Sequence, residues 1–278
     1  ETGVTLNIPC PDPNAAASET SLRVEKDPVI SLLARTGFPP FSDADWPEQG
    51  MVTELVSAAF DASPAPVSYA ISWADDPAAA LTPLRTNDGF DMGFPWTSPQ
   101  CDQANAIGLC RDFHFSDPLI DIVILLFVRA DDPVKFETDA DLHGRVLCRP
   151  AGYLTHDLDR ADRRWLADGL IKLEQPGSVA TCFEMLMDGR VDGVTVNEFL
   201  GVQQMFELGL TADVVPMPRQ MSVEGLHVAI SKSHWRGTAH LYRFNAGLAK
   251  LRQSERYSQI VSKHLGRFWD QVRTQAEK

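Results

Sequence analysis

The spacing of apolar residues predicts a chain in which strands and helices alternate. Apolar side chains recur every three or four residues in the helical segments, most clearly at Val52, Leu55, Val56, Ala59 and Phe60. The tail of the chain predicts two adjacent helices, whose apolar stripes begin at Leu241 and Tyr257. Strands that alternate with helices are typical of βαβ units and largely parallel sheets. The pattern therefore predicts an α/β fold.

The predicted elements run along most of the chain. Helices are expected at 50–60, 78–84, 158–166, 179–186 and 199–208, before the tail pair. Strands are expected at 4–8, 67–73, 89–94, 145–148, 170–173, 191–196, 213–217 and 225–230. Ser178 is a predicted N-cap, and the strand at 89–94 is expected to stop at Pro95.

The chain is organised around an apolar run from Leu119 to Val128. Pro118 fixes its own φ and biases Asp117 toward extended backbone, so a helix is not expected to cross this point. The run is too short for a membrane span, which needs ~20 apolar residues. Such a run is typical of a strand that is buried on both faces. We interpret it as a strand that leaves one lobe and enters a second, with a cleft beside it.

The net charge of the chain and the motifs it lacks argue against several classes of function. The formal net charge is −13, which argues against nucleic acid and anionic membranes as partners, because both require basic patches. The sequence contains no G-x-S-x-G, no G-x-G-x-x-G and no P-loop, so hydrolase and nucleotide-binding hypotheses lack support. No histidine or cysteine pair has zinc-site spacing. We therefore expect no cofactor, no metal and no membrane insertion.

Five cysteines permit two disulfides and one free thiol. Cys101 and Cys110 bracket a short polar loop, and closing it would stabilise the chain by roughly 3 kcal/mol. A second pair is predicted between Cys148 and Cys182, while the pairing of Cys10 stays open. Buried reduced cysteines are the alternative. Together with a start, Glu1-Thr2-Gly3, that is typical of a removed signal peptide, the cysteines favour a periplasmic, extracytoplasmic location.

The order of short motifs resembles one family. From about 37 to 266 the succession is similar to extracytoplasmic solute-binding proteins of family 3, which deliver polar amino acids to transporters. The motifs are Phe38-Pro39-Pro40-Phe41, Gly50 to Leu55, Gly89-Phe90-Asp91, Phe115-Ser116-Asp117-Pro118, Asp141-Leu142-His143-Gly144, Gly189-Arg190-Val191-Asp192-Gly193 and Ser262 to Gly266.

The resemblance implies a two-lobed, type II periplasmic binding protein-like fold with a hinge of two crossing strands. Lobe 1 is expected at 4–118 plus 224–278, and lobe 2 at 123–220. The hinge strands are expected at 119–122 and 221–223. A ligand held between two lobes buries most of its surface when the hinge closes.

The resemblance also implies a set of ligand-binding residues. Aromatic walls are expected from Phe41 and Trp73, and a hydroxyl contact to a ligand carboxylate from Thr97 or Ser98. The full expected set is Phe41, Trp73, Trp96, Thr97, Ser98, Arg111, Tyr153, Thr155, Asn197 and Glu198. Each of these residues also fits a plain role in the core, in a turn or on the surface.

Three positions depart from the family pattern. The arginine expected three residues after Thr97 is replaced by Gln100, and Arg111 is the nearest substitute. The expected Gly-Ser/Thr-Thr turn reads Gly152-Tyr153-Leu154-Thr155, and the ammonium-binding aspartate reads Asn197. Three anchors of an α-amino acid are therefore altered, which argues against a standard amino acid as the ligand. The expected ligand is a small polar, carboxylate-bearing solute, an amino acid or a related compound.

The resemblance implies a receptor that is not an enzyme. It is expected to be a monomer that passes its small-molecule ligand to the membrane permease of an ABC-type transporter. The segment from Leu6 to Asn14 is similar to periplasmic accessory proteins of quinoprotein (methanol-type) dehydrogenases, which gives an alternative. A binding-protein-derived dehydratase, with Glu198 as the general acid, is a further alternative.

Overall fold

The structure, a computed structural model, describes residues 29–65, 67–75, 77–99, 101 and 107–276. The seven helices among these residues are α1 (Met51–Ala62), α2 (Pro77–Thr86), α3 (Ile107–Asp112), α4 (Val179–Met187), α5 (Glu198–Glu207), α6 (Gly237–Arg252) and α7 (Glu255–Ala276). The ten strands are β1 (Ile30–Arg35), β2 (Tyr69–Ala74), β3 (Met92–Thr97), β4 (Phe113–Phe115), β5 (Ile120–Arg129), β6 (Val146–Cys148), β7 (Lys172–Glu174), β8 (Gly193–Asn197), β9 (Val214–Pro216) and β10 (Ser222–Ser231). The predicted strand at 4–8, the Leu6 to Asn14 segment, Cys10 and Gln100 lie outside the described residues.

All ten strands belong to one hydrogen-bonded sheet. Its order is β2-β1-β3-β10-β5-β8-β6-β7, with β4 paired to β10 and β9 paired to β5. At one end β1 pairs in parallel with β2 and β3, and at the other end β6 pairs in parallel with β7 and β8. Antiparallel pairing of β10 with β3 and of β5 with β8 joins these two parallel groups. The predicted α/β class is confirmed.

The strand predicted from the apolar run is β5, and it changes partner along its length. Its first half pairs with β10 in the register Ile120 to Leu226 and Ile124 to Ser222. Its second half pairs with β8 and then, at Phe127–Arg129, with β9. Strand β10 likewise runs from β5 to β3 and β4. These two antiparallel strands therefore connect the half of the molecule that contains β1 to β4 with the half that contains β6 to β9.

Apolar burial explains why the helices lie where they do. Helix α1 packs against α6 and α7, and its residues Val52, Leu55 and Val56 have no exposed surface. In the other half, α4 packs Cys182 and Phe183 against β8. The N-cap predicted at Ser178 is confirmed, because its Oγ accepts a hydrogen bond from the Thr181 backbone N–H at 3.1 Å.

The helix predicted at 158–166 is wrong. The segment forms a 3-10 turn, His156–Leu158, followed by irregular backbone with Arg164 at a φ of 46°. The carboxylate of Asp159 accepts hydrogen bonds from the backbone N–H groups of Leu166 and Ala167 at 2.8 and 2.9 Å. Local side-chain acceptors of this kind compete with helical hydrogen bonding, so the apolar residues here fill the core without forming a helix.

Strand β3 does not stop at Pro95, as predicted, but continues to Thr97. Strand β10 pairs Ala229 with Gly93 and His227 with Trp96, with a register shift in between. Proline has no backbone N–H and is tolerated at such irregularities. Strand β3 therefore extends to Thr97, beside the crossing strand β10. On its other edge, β3 pairs with β1, a strand that was not predicted from the sequence.

Both predicted disulfides are present. Cys101 is bonded to Cys110, and Cys148 is bonded to Cys182, with Cα–Cα distances of 5.4 and 5.6 Å. The first bond closes the loop that leads from β3 into α3. The second ties β6 to α4 in the other half. Each half of the molecule therefore carries its own cross-link.

Candidate functional site: a cleft beside the crossing strands

A cleft opens where β5 and β10 run side by side. Its empty volume, counting the open mouth, is about 570 Å³. One wall comes from the half that contains β1 and β3, and the other from the segment after β6 and the end of β8. The lining residues are Arg35, Phe38, Pro95, Thr97, Ile122, Ile124, Arg149, Tyr153, Leu154, His156, Asp157, Thr195, Val196, Asn197, Glu224 and Leu226. Both halves of the molecule therefore contribute to one site.

The end of β1 contributes the most distinctive group of the first wall. The guanidinium of Arg35 lies over the rings of Trp96, Phe38 and Tyr153, with distances to the ring centroids of 5.1, 5.8 and 5.9 Å. Phe38 and Trp96 belong to the first half, whereas Tyr153 belongs to the second. A cation against aromatic faces is stabilised by their quadrupoles. Arg35 therefore brings the two walls together at one end of the cleft.

The floor on the second side is a buried ion pair. Arg149 donates to both carboxylate oxygens of Asp157, at 2.5 and 2.8 Å, and to the carbonyl and hydroxyl oxygens of Thr195. Burial alone would raise the pKa of Asp157, but the charge and hydrogen bonds of Arg149 outweigh it and hold that pKa below its ordinary value. The pair stays charged and fixes the strand ends beneath the cleft.

A second polar pair crosses between the halves. His156 Nε2 lies 3.0 Å from Glu224 Oε2, and the two side chains are 15% and 13% exposed. Glu224 belongs to β10, and His156 to the turn that follows β6. The contact joins a crossing strand to the second wall, so opening the cleft would have to break it or move both residues together.

Three neutral polar groups also face the cleft. Thr97 ends β3, Tyr153 follows β6, and Asn197 ends β8. Asn197 uses Oδ1 to cap α5, accepting the Leu200 N–H at 3.0 Å. Within the described part of the chain, the Thr97 hydroxyl, the Tyr153 hydroxyl and the Asn197 Nδ2 have no hydrogen-bond partner. Burial raises the pKa of Tyr153, so its phenol stays a donor at neutral pH.

These three residues are the members of the predicted ligand-binding set that line the cleft. Phe41 is 1% exposed in the core, against Phe38 and Phe199. Trp73 packs half-buried against the same core. Trp96 lies next to the cleft and lines a small apolar cavity of about 170 Å³ instead.

The remaining predicted residues lie outside the lining. Ser98 donates to the carbonyl of Pro99, and Arg111 is exposed and paired with Asp112. Thr155 lies directly before the 3-10 turn, between the lining residues Leu154 and His156, and its side chain forms no capping hydrogen bond. Glu198 opens α5, where burial raises its pKa, but its side chain is not part of the lining.

The charged residues that line the cleft were not among the predicted ligand-binding residues. Arg35 is the last residue of β1, Arg149 directly follows β6, and Glu224 lies within β10. A charged residue at the carboxyl end of a buried strand is the signal that could have found the first two, because ligands bind at that edge in α/β sheets. Phe38, in the same Phe-Pro-Pro-Phe motif as Phe41, lines the cleft in its place.

Comparison with known proteins identifies the fold. No family model matches the chain, and no curated protein matches it. Among solved structures, a mutant of ArgBP from T. maritima has a TM-score of 0.63 at 21% identity and covers 86% of this chain and 95% of its own. The substrate-binding protein of an amino acid ABC transporter gives 0.61 at 21% identity, covering 85% of this chain and 99% of its own.

A third similar structure is a histidine kinase sensor domain with similarity to periplasmic binding proteins. Its TM-score is 0.64 at 21% identity, and it covers 87% of this chain and 97% of its own. The chain thus has the two-lobed, type II periplasmic binding protein-like fold that the motifs implied. Among the described residues, no helix combines the length and apolar character that crossing a membrane requires.

Proposed function

We propose that this protein is an extracytoplasmic receptor that captures a small carboxylate-bearing solute in the cleft and delivers it to an ABC-type transporter. The observation that carries this proposal is the placement of the cleft, walled by both halves beside two crossing strands. Hinge closure around such a site buries most of a ligand's surface. The fold shared with the substrate-binding protein of an amino acid ABC transporter supports the same role.

The proposal includes boundaries for the two lobes and the hinge between them. We place lobe 1 at 4–118 plus 224–278, lobe 2 at 123–220, and the hinge at 119–122 and 221–223. The antiparallel register of Ile120–Ile124 with Ser222–Leu226 supports this division, because both connections cross at one level. A rotation there moves Tyr153 and Asn197 relative to Thr97 without disturbing either parallel group of strands.

The chemistry of the cleft supports a carboxylate ligand. The Thr97 hydroxyl, the Tyr153 hydroxyl and the Asn197 amide can each donate to a carboxylate oxygen, and the Arg35 guanidinium lies in the same lining. Apolar side chains of β5, including Ile122 and Ile124, cover the rest of the ligand. The proposal gives no ligand contact to the other predicted residues, which do not line the cleft: Phe41, Trp73, Trp96, Ser98, Arg111, Thr155 and Glu198.

The proposal extends to partners and location. The protein acts as a monomer in the periplasm, and its second partner is the transporter permease. The two disulfides support an oxidising compartment. It binds without catalysing a reaction, since Glu198, the general acid of the dehydratase alternative, does not line the cleft. The motif behind the dehydrogenase alternative lies outside the described residues, so no observation favours that role.

A ligand screen with matched variants tests the proposal. Thermal unfolding is followed with amino acids, dicarboxylates, 2-oxo acids and amines, and titration calorimetry gives Kd for any compound that raises Tm. Tyr153→Phe removes one donor from the cleft and should weaken binding of a carboxylate about 10- to 150-fold, the range for one hydrogen bond to a charged group of about 1.5–3 kcal/mol. Tyr242→Phe, on an exposed tyrosine of α6, is the control and should leave Kd unchanged.

Two results reject the receptor role. One is the absence of any stabilising compound across the whole panel. The other is a ligand whose Kd responds equally to Tyr153→Phe and Tyr242→Phe, because the binding would then lie elsewhere. Turnover of a bound compound, lost on Glu198→Gln, would favour an enzyme in place of a receptor.

A further inference from the structure

Three side chains that lie far apart in sequence converge on the first half of the molecule, away from the cleft. Asp91 lies directly before β3, His234 follows β10, and His240 is in the first turn of α6. One potential ligand atom from each lies within 4.8 Å of the other two. Asp91 and His234 are 143 residues apart, so no sequence spacing could have indicated this cluster. None of the three lines the cleft.

We propose that Asp91, His234 and His240 form a binding site for a divalent transition metal ion, with Zn²⁺ as the reference ion. Imidazole nitrogen and carboxylate oxygen are ordinary zinc ligands, and three protein ligands leave a fourth tetrahedral position for water. The mixed nitrogen and oxygen donor set favours Zn²⁺ and its transition-metal neighbours over Mg²⁺ and Ca²⁺, which prefer oxygen alone.

His240 contributes a buried imidazole to the cluster. The residue is 7% exposed, and its Nδ1 is buried without a hydrogen-bond partner among the residues that the structure describes. A buried polar atom without a partner is destabilising, and native proteins contain few of them. A metal ion at this position would satisfy the imidazole. Its ring centroid lies 5.5 Å from that of His234, so both imidazoles can reach one ion.

The carboxylate of Asp91 is oriented by a backbone hydrogen bond, as the ligands of protein metal sites usually are. Its Oδ2 accepts the Ser31 backbone N–H at 2.7 Å, which fixes the carboxylate, and its Oδ1 lies 2.8 Å from His234 Nε2. Hydrogen bonds to the atom that does not bind the metal orient the ligands of protein metal sites. In the described part of the chain, the Asp91 carboxylate contacts the His234 imidazole and forms no ion pair with a lysine or arginine.

Metal binding requires a defined rearrangement. Ligand atoms of a tetrahedral zinc site are about 3.3 Å apart, given bond lengths near 2.0–2.1 Å, so the Asp91–His234 contact must lengthen by about 0.5 Å. His234 Nδ1 accepts the Arg236 N–H at 3.1 Å. When Nε2 of His234 binds the metal, the imidazole proton lies on Nδ1, and the Arg236 backbone N–H donates to water instead. That hydrogen bond is exposed, so its loss leaves no buried group without a partner.

A second cluster of potential metal ligands is less suited to a metal ion, because cations already neutralise its carboxylates. Glu48, Glu54 and His264 also place three potential ligand atoms within 4.8 Å of one another. There, however, Lys263 donates to Glu54 at 2.8 Å and Arg267 donates to Glu48 at 2.8 Å. A metal ion would have to displace two cations that already neutralise the carboxylates. This cluster therefore serves as the internal control.

Titration of the full chain with metal tests the proposal. After treatment with a chelator and dialysis, calorimetry with Zn²⁺ should show one equivalent bound. The Tm should rise when Zn²⁺ is added and fall back to its metal-free value when chelator is added. Co²⁺ should give the visible absorption of a tetrahedral site with imidazole ligands, which nonspecific surface binding does not produce. His240→Gln and Asp91→Asn should each weaken Zn²⁺ binding at least tenfold.

His264→Gln, in the second cluster, should leave the affinity unchanged. Asp91→Asn serves alone if His240→Gln does not fold, because Asn keeps the acceptor for Ser31. The proposal is overturned if no equivalent of Zn²⁺ binds, if Co²⁺ gives only its octahedral spectrum, or if affinity falls with His264→Gln and not with the other variants. None of these outcomes depends on the solute-binding role.

Discussion

Phe199 packs edge-on against Phe41, with ring centroids 5.2 Å apart and ring planes at 87°. Phe199 is in the first turn of α5, next to the strand end that supplies Asn197 to the cleft. Its other side contacts the rings of Phe268 and Trp269 on α7, at 5.1 and 5.9 Å. One aromatic ring of the second half is thus enclosed by two elements of the first. This contact opposes separation of the proposed lobes.

Phe199→Ala should destabilise the protein and favour an open cleft. Loss of a buried phenylalanine costs about 3–5 kcal/mol, and Phe199 is 7% exposed. The control is Phe183→Ala, since Phe183 is fully buried within the second half against Phe127. Urea unfolding should show a similar loss for both variants. Small-angle X-ray scattering should show a larger radius of gyration for Phe199→Ala alone, and an equal radius would contradict the role of this contact.

The sequence was informative about elements because their apolar periodicity is local. The β5 strand, the α4 cap and the tail helices each follow from residues within one element. The 158–166 segment shows the limit, since its apolar residues have helical spacing while Asp159 captures the backbone N–H groups that a helix would use. Such competition depends on side-chain direction, which the pattern of residue types does not contain.

The cleft was less predictable because core and ligand walls are built from the same residue types. Phe38 and Phe41 share one motif, and both are at most 5% exposed, yet one lines the cleft and the other packs against Phe199. The predicted residues that line the cleft, Thr97, Tyr153 and Asn197, lie at or after the ends of strands. Their roles toward a ligand stay a prediction.

Asp157→Asn should cost about 3–5 kcal/mol at neutral pH, because it leaves the buried Arg149 without its counter-charge. The pKa of Asp157 is held below its ordinary value of 3.8, so the stabilisation by this carboxylate is fully present above about pH 4. It is lost as the pH falls through the lowered pKa. The difference in unfolding free energy between wild type and variant should therefore be constant from pH 5 to 8 and shrink below pH 4.

Urea unfolding at several pH values measures this difference. The exposed Asp168→Asn, which removes a surface pair with Arg164, is the control and should change stability by less than about 1 kcal/mol. A variant Asp157→Asn as stable as wild type at pH 7 would show that Arg149 is not desolvated in solution.

Removing the Cys148–Cys182 disulfide should cost more than removing Cys101–Cys110. The closed loops span 34 and 9 residues, and the chain-entropy relation gives about 4 and about 3 kcal/mol respectively. Cys148 and Cys182 are also fully buried, so their replacement adds a packing loss. Paired Cys→Ala variants, compared by urea unfolding, should differ by at least about 1 kcal/mol. A larger loss for the 101–110 pair would reverse the expected order.

The approach of α6 to α1 depends on a residue without a side chain. A Cβ built at Gly247 would lie 2.0 Å from the backbone oxygen of Ala59, which cannot move without displacing α1. Gly247→Ala should therefore destabilise by about 1–3 kcal/mol through overpacking. Gly266 in α7 has no atom within 4 Å of the same position, so Gly266→Ala should stabilise by roughly 0.5–1 kcal/mol through helix propensity. The two variants carry the same substitution in two helix interiors, so urea unfolding isolates the effect of the neighbouring helix. Stabilisation by both would mean that α1 and α6 lie further apart in solution than the Gly247–Ala59 contact requires.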